Sequence, residues 1–271
     1  MLVALMEKQR ILASLAEKGR AYFCPGCSQE VTLKKGRKMI HHFAHKPPVS
    51  CSWAAGETQL HLKAKELLYL HFKAEGRFVE IEYPIADRQL RADVLVSARN
   101  GQSVAFELQH STISPDEIEH RTSLYFQHQV ALTWLPLIKL EKLEFERTMS
   151  GGIVKRYSPK PFERWIHGFN FGHIWYLDAE SAQLWHGKFD KSMIDVPYNE
   201  WYESGGHHVS VGGYEKISKR WKKLTLTGPF FLNDVRFTIK PRPEAKIGTH
   251  WYPKGAILAI ESKVKENSVA G

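Results

Sequence analysis

Residues 105–111, AFELQHS, set a glutamate into a run that otherwise reads as a buried strand. An isolated carboxylate in apolar surroundings loses roughly several kcal/mol or gives up its charge, so Glu107 needs a compensating partner. A second acid, Asp93, sits in the comparably apolar run RADVLVSA. If the RNG turn between the runs makes a hairpin, the two carboxylates come close, and one must hold a proton unless a cation lies between them. Strand alternation puts Arg91, Asp93 and Leu95 on one face, and Glu107 and Gln109 on one face of the neighbouring strand. Oxygen donors gathered in this way suit Mg²⁺ or Mn²⁺. Such a cation polarises a phosphodiester, lowers the pKa of a bound water and stabilises the leaving alkoxide. Glu57 and His61, four residues apart, share a helical face, either as a solvated pair or as part of the same site.

A second constellation precedes it. FCPGCSQEVTLKKGRKMIHHFAHKPPVSC, residues 23–51, holds all three cysteines of the chain, a short strand at 30–34 and a Lys-Lys-Gly turn. A tetrahedral zinc needs four sulfur or nitrogen donors, and a Cys-x-x-Cys turn presents two thiolates at once. Cys24 and Cys27 form that half. His41, His42, His45 and Cys51 compete for the other; His45 with Cys51 is the favoured pair and His42 the substitute. A ribbon this small has little core, so its Zn²⁺ would be structural.

The elements that must position these residues follow from periodicity. ETQLHLKAKELLYLHFKA, residues 57–74, lacks Gly and Pro and offers Leu60, Ala64, Leu67, Leu68 and Phe72 as a buried stripe, which predicts a helix ended by Gly76. Strands are predicted at 77–85, 91–98 and 103–111. Ser114 and Pro115 open a second helix running to about residue 127, and VALTWLP, 130–136, reads as a buried strand. The order α-β-β-β-α-β describes a mixed α/β sheet flanked by helices. From about 140 a charged helix, KLEKLEFERTMS, and a linker are expected, then a C-terminal domain containing Trp165, Trp175, Trp185, Trp201, Trp221 and Trp251. Rings beside basic residues suit single-stranded nucleic acid; a tryptophan-rich core is the other reading. The expected boundaries are 1–52, 53–138, 139–160 and 161–271.

The 271 residues are 43% hydrophobic, as a folded chain of two ordinary domains requires. The odd cysteine number argues against a disulfide framework. No stretch matches a signal peptide or membrane helix, so a cytoplasmic protein with no membrane partner is expected. The net charge of +9 is uneven. Lys+Arg against Asp+Glu count 9 to 3 over residues 1–50, 9 to 11 over 51–139 and 20 to 15 over 140–271. A slightly acidic middle between basic flanks is compatible with a nucleic-acid partner.

Asp93, thirteen intervening residues and then ELQ resemble the D…(D/E)-x-K core of the PD-(D/E)XK nucleases, with Gln109 at the lysine position. The wider order of CPGC, HFAH, a Glu-x-x-x-His helix, ADVLV, ELQHSTIS and TWLP resembles the competence protein CoiA family over residues 20 to about 136. The resemblance implies a restriction-endonuclease-like fold with an N-terminal zinc ribbon. It also implies a Mg²⁺- or Mn²⁺-dependent deoxyribonuclease acting on single-stranded or branched DNA in natural transformation, with recombination proteins as partners. Asp93, Glu107 and Glu57 would hold the metal, Gln109 would face the attacking water, and His61 would bind phosphate or shuttle a proton. Arg121 would meet a phosphate or fix a carboxylate, and Ser111 and Gln127 are further candidates. An amide at 109 orients water but offers no charge. Catalysis would then lean on the metal, on His61, or on Lys63 or Lys65; the alternative is a DNA-binding or recruitment factor that does not cut.

Overall fold

The computed structural model describes residues 1–263 apart from 49, 52, 54–56 and 88; the expected boundary at 52 therefore falls beside residues that are not described. The chain is mixed α/β, with several sheets and few helices. The first five strands are β1 (Val3–Met6), β2 (Gln9–Leu12), β3 (Tyr22–Phe23), β4 (Glu30–Lys34) and β5 (His42–His45). They form a small antiparallel sheet in the order β2-β1-β3-β4-β5 around Ala4, Tyr22, Val31, Phe43 and Trp53.

Next come α1 (Gln59–Ala74), β6 (Val79–Ile85), β7 (Leu90–Ser97), β8 (Ser103–Gln109), α2 (Pro115–Gln127) and β9 (Ala131–Pro136). α1 buries Leu60, Ala64, Leu68 and Phe72 against Val94, Val96, Phe106 and Leu108 on one face of the sheet. α2 buries Ile118 and Tyr125 against Leu90, Ala92, Ala105 and Trp134 on the other. Ser114 caps α2 by accepting from the Glu117 N–H at 3.1 Å, with Pro115 at the first turn. The α2 crossover makes β8 and β9 parallel, whereas β6, β7 and β8 are antiparallel neighbours.

The remaining elements are β10 (Phe145–Thr148), β11 (Gly151–Lys155), α3 (Pro161–Phe169), β12 (Ile174–Asp178), β13 (Gln183–Asp190), β14 (Met193–Val196), β15 (Asn199–Tyr202), β16 (His208–Val211), β17 (Tyr214–Ile217), β18 (Lys223–Phe230), β19 (Val235–Arg242), β20 (Ala245–Ile247), β21 (His250–Tyr252) and β22 (Gly255–Ser262). β10, β11, β18, β13 and β12 form a second five-stranded sheet in that order.

Two expectations are corrected. The stretch 139–160 is not a helical linker: it holds a 3₁₀ turn at Leu140–Lys142 and the β10–β11 hairpin, which extends the second sheet. Nor does 161–271 stand apart. β22 adds to the central sheet alongside β9 and brings β19 with it, giving the order β19-β22-β9-β8-β7-β6. The physical reason is that every residue of β9 is buried, so its far edge needs a strand partner rather than water. α3, Trp165, Trp185 and Tyr252 share one core with Leu90, Ala105 and Trp134. Of the six C-terminal tryptophans, Trp165, Trp175 and Trp185 are buried and Trp221 and Trp251 half-buried, so core packing accounts for most of them.

A chain ended after Ile138 exposes the β9 edge and half of this shared core. It is expected to lose cooperative thermal unfolding followed by circular dichroism, whereas the full chain unfolds with residues 57–138 and 161–262 in one transition. Independent cooperative folding of the shortened chain would refute the shared core.

Candidate functional site

Among the described residues, fourteen line a cleft of about 420 Å³ at the carboxyl end of β8, and Glu57, His61, Asp93, Glu107, Gln109, Ser111 and Arg121 are among them. Donor atoms of Glu57, His61 and Asp93 lie within 4.8 Å of one another. Thr58, whose Oγ1 accepts from the His61 N–H at 3.2 Å, is the N-cap of α1. Glu57 therefore precedes the helix, and the expected shared helical face with His61 is replaced by a loop carboxylate held from elsewhere.

The cleft is organised around Lys65, whose side chain is fully buried. Its Nζ donates to Glu57 Oε1 at 2.6 Å and to Glu82 Oε1 at 3.2 Å, and makes an ion pair with Asp93 Oδ1 at 3.0 Å. Burial works against the Lys65 charge, but Asp93, Glu82 and Glu57 more than reverse this and hold its pKa above that of an ordinary lysine. Burial would likewise raise the Asp93 pKa. Lys65 chiefly, then His61 and the Leu108 N–H, hold it well below the usual carboxylate range. His61 Nε2 and the Leu108 N–H donate to Asp93 Oδ2 at 3.0 and 2.9 Å. Glu82, which sequence reasoning passed over, opposes burial in the same way and is brought to about 2, mainly by Lys65.

Glu107 is drawn the other way. Its carboxylate accepts from Arg121 and from the Tyr125 hydroxyl, both on α2. Burial foremost, with Asp93 adding, raises its pKa even though Arg121 and Tyr125 oppose the shift. Glu107 thus shares the cleft without entering the Glu57–His61–Asp93 group. The backbone explains the division. The β6–β7 ladder skips the Glu82–Asp93 pair, and Glu82 lies at φ 54°, in the left-handed region. Ala92 packs on the α2 side and Val94 on the α1 side, so strict alternation breaks at Asp93. Leu95 packs with Ala92, and the expected common face for Arg91, Asp93 and Leu95 is not kept.

Gln109 Nε2 donates to the Ser111 carbonyl at 2.5 Å, which fixes the amide at the cleft wall. Lys63 is half-exposed and pairs with Glu180 at 2.8 Å, outside the cleft. Gln127 ends α2 and does not line the cleft.

The first sheet supplies the other donor set. Cys24, Cys27, His45 and Cys51 present donor atoms within 4.8 Å of one another and could hold a metal. Cys24 and Cys51 sulfurs are 3.8 Å apart, and Cys27 Sγ is 3.4 Å from His45 Nε2. His42, the substitute considered, is not part of this group; its Nδ1 pairs with the Ile40 carbonyl at 2.8 Å. Burial pushes the Cys24 thiol up to about 12.

Trp53 joins the two centres. Its N–H donates to Cys51 Sγ at 3.3 Å, and its ring lies so close to Gly26 that a Cβ there would be 2.7 Å from it. Arg91 stacks over that ring at 5.1 Å, donates to the Trp53 carbonyl at 3.3 Å and reaches Glu57 Oε1 at 3.2 Å.

Comparison with known proteins adds the family. Residues 5–54 match the model of the competence protein CoiA N-terminal domain, and residues 57–150 that of the CoiA nuclease-like domain. The chain belongs to the CoiA family. Competence protein CoiA of Bacillus subtilis (strain 168) is 33% identical over 119 residues, which are 44% of this chain and 32% of that protein. The matched stretch thus spans about a third of that CoiA relative's length. No solved structure matches the chain significantly. Both CoiA models end before α3, so the shared core with the C-terminal strands is a feature of this chain that they do not describe.

The Lys65 network sets a pH dependence. A carboxylate depressed in the folded state contributes stability that is present above its unfolded pKa, near 4, and lost as pH falls through the folded value. Lys65→Met removes the cation and leaves buried charge uncompensated, which costs about 3–5 kcal/mol at neutral pH. Without Lys65, Asp93 and Glu82 protonate at higher pH, so the deficit relative to wild type narrows below about pH 5. Urea unfolding at pH 7 and pH 4.5 measures both values, and an equal deficit at the two would contradict the network.

Proposed function

We propose that the cleft is a divalent-metal-dependent deoxyribonuclease site on a restriction-endonuclease-like, PD-(D/E)XK-type core. The observation that carries this reading is the convergence of Glu57, His61 and Asp93 on one open cleft that Glu107 and Gln109 also line. The α-β-β-β-α-β order, with Asp93 and Glu107 on adjacent strands, supports the fold reading. The donor chemistry fits Mg²⁺ or Mn²⁺: oxygen ligands predominate, and Glu57 Oε2 is buried with no hydrogen-bond partner among the described residues, the amino group of Met1 being 3.8 Å away. Asp93 and Glu57 would hold the cation, with Glu107 at the α2 side of the same cleft. When bound, it would polarise a phosphodiester and acidify water.

The chain's own residues supply the rest. Lys65 keeps Asp93 ionised and provides, from the helix, the positive charge that Gln109 does not provide from the strand. His61, bonded to Asp93, is placed to bind a phosphate oxygen or carry a proton. Gln109 orients water at the wall, and Arg121 fixes Glu107.

We read Cys24, Cys27, His45 and Cys51 as a structural Zn²⁺ site. Metal–sulfur bonds of about 2.3 Å and metal–nitrogen bonds near 2.0 Å in a tetrahedron place two sulfurs roughly 3.8 Å apart and a sulfur and nitrogen roughly 3.5 Å apart. The observed 3.8 and 3.4 Å agree. The substrate on this reading is DNA, single-stranded or branched, handled in the cytoplasm with recombination proteins during natural transformation. Family membership supports the competence setting, and the net charge of +9 supports the partner class.

One feature favours a second reading, a DNA-binding or recruitment factor without cleavage. Lys65 and Arg121 already neutralise the carboxylates that a metal would use. The two readings separate in one assay. Purified protein with Mg²⁺ or Mn²⁺ is expected to cleave labelled single-stranded, duplex or flapped DNA. Asp93→Ala and Glu107→Ala should each lower the rate by about 100-fold or more, the scale of a positioned catalytic group. Binding of DNA with no cleavage under either metal, in wild type and variants alike, would establish the second reading. For the ribbon, elemental analysis should find about one zinc per chain, lost in Cys24→Ser. A zinc-free, folded wild type would refute that assignment.

A further inference from the structure

Residues 193–217 serve neither the shared core nor the cleft. β14 and β15 run outward, and β16 and β17 return, pairing as β14–β17 and β15–β16. Both ladders keep one register, from Met193 opposite Ile217 to Tyr202 opposite His208, so together they form a single hairpin arm. The two ladders are separated at 197–198 and 212–213. Gly212 lies at φ +94°, and a Cβ there would be 1.9 Å from the Pro197 carbonyl oxygen, so this junction demands glycine. Ten residues per strand give a reach of roughly 30 Å. The neck is closed by the Ser218 N–H donating to the Ser192 carbonyl at 2.9 Å and the Ser192 N–H donating to Ser218 Oγ at 3.0 Å. Among the described residues these four strands pair only with one another.

A two-stranded hairpin alone in water is marginally stable, and this one turns large apolar side chains outward. Tyr202 is 74% exposed, Ile217 65% and Trp201 44%, and Met193, Tyr198 and Tyr214 are exposed as well, with Trp201 and Tyr202 on opposite faces of the arm. Large apolar side chains left bare on an unpartnered hairpin point to an interaction site. Charge decides what covers it. Asp195, Glu200, Glu203 and Glu215 stand against Lys216 alone, an acidic arm on a chain of formal charge +9. A phosphodiester backbone would be repelled, and so would a second arm laid alongside. The complement is a basic surface with an apolar centre, and the chain has one. At the end of β4 and in the turn that follows, Lys34, Arg37 and Lys38 are exposed, and Met39 beside them is 52% exposed.

We propose that the arm docks on the basic β4–β5 turn of a second copy of this chain. Two arms exchanged reciprocally close a two-fold dimer, the commonest symmetric assembly, and each contact pairs the acidic aromatic arm with a basic turn.

Sedimentation of the full chain tests this. Wild type should be a dimer at low ionic strength and dissociate as salt screens the contact. Trp201→Ser with Tyr202→Ser, both on the exposed arm, should be monomeric with the thermal unfolding of wild type. Charge reversal supplies the stricter arm of the test. Glu200→Lys with Glu215→Lys, and separately Arg37→Glu with Lys38→Glu, should each be monomeric alone and form a mixed dimer when combined. A wild type that is monomeric at every salt concentration overturns the proposal, as does a dimer that survives the arm substitutions. Arm variants that lose DNA affinity with no change in mass overturn it as well, and make the arm a nucleic-acid contact.

Discussion

A single buried ammonium orders the centre of this molecule. Lys65 lies on the inward face of α1 among Glu57, Glu82 and Asp93, three carboxylates contributed by a loop and two strands. Each of these acids would be untenable at its depth without the cation, and the cation without them. Glu82, moreover, accepts from the backbone N–H groups of Leu2 at 3.0 Å and Val3 at 3.2 Å, so the same knot ties the first sheet to the central one. Arg91 and Trp53 make a second tie, running from Cys51 to Glu57. The cysteine and histidine donors of the first sheet, which could hold a metal, and the acids of the cleft are therefore tied into one structure.

The distortion of β6 and β7 at Glu82 and Asp93 sets how the acids are shared. A regular ladder would leave Asp93 and Glu107 facing each other as like charges on one side of the sheet. Breaking alternation at Asp93 turns that side chain to α1, while Glu107 turns to Arg121 and Tyr125 on α2. The two strand acids sit in one cleft with opposite tendencies: Asp93 is held ionised and Glu107 is pushed toward its protonated form. Two carboxyl groups whose environments drive their pKa values apart are what acid–base or metal chemistry at neutral pH draws on.

Much of this was legible in the sequence where a local rule applied. The α1 stripe, the Ser114–Pro115 helix start, the three antiparallel strands and the Cys-x-x-Cys half of the donor set follow from periodicity, capping chemistry and spacing. Cys51 and His45 could be favoured over His42 but not fixed, because the choice turns on the β4–β5 register, which sets His45 opposite Val31 and His42 opposite Lys34. Lys65 was visible only as one lysine of a charged helix, since no local pattern distinguishes a buried lysine from a solvated one. Glu82 read as an ordinary polar position in a half-buried strand. The union of β22 with β9 is a pairing across more than a hundred residues, and nothing in either segment alone announces it. Family comparison supplies the CoiA membership but stops at residue 150, whereas the C-terminal strands beyond it complete the sheet.

On the proposed reading Glu57 and Asp93 form a working cation site and not a closed salt-bridge cluster with Lys65. Titration of Mn²⁺ into the full chain, followed by electron paramagnetic resonance, tests it without reference to any substrate. A bound-Mn²⁺ signal is expected in wild type, lost in Asp93→Asn and weakened in Glu57→Gln, with the ribbon cysteines unaffected. A wild type that binds no Mn²⁺ in the cleft, or binds it equally well after Asp93→Asn, would contradict the claim.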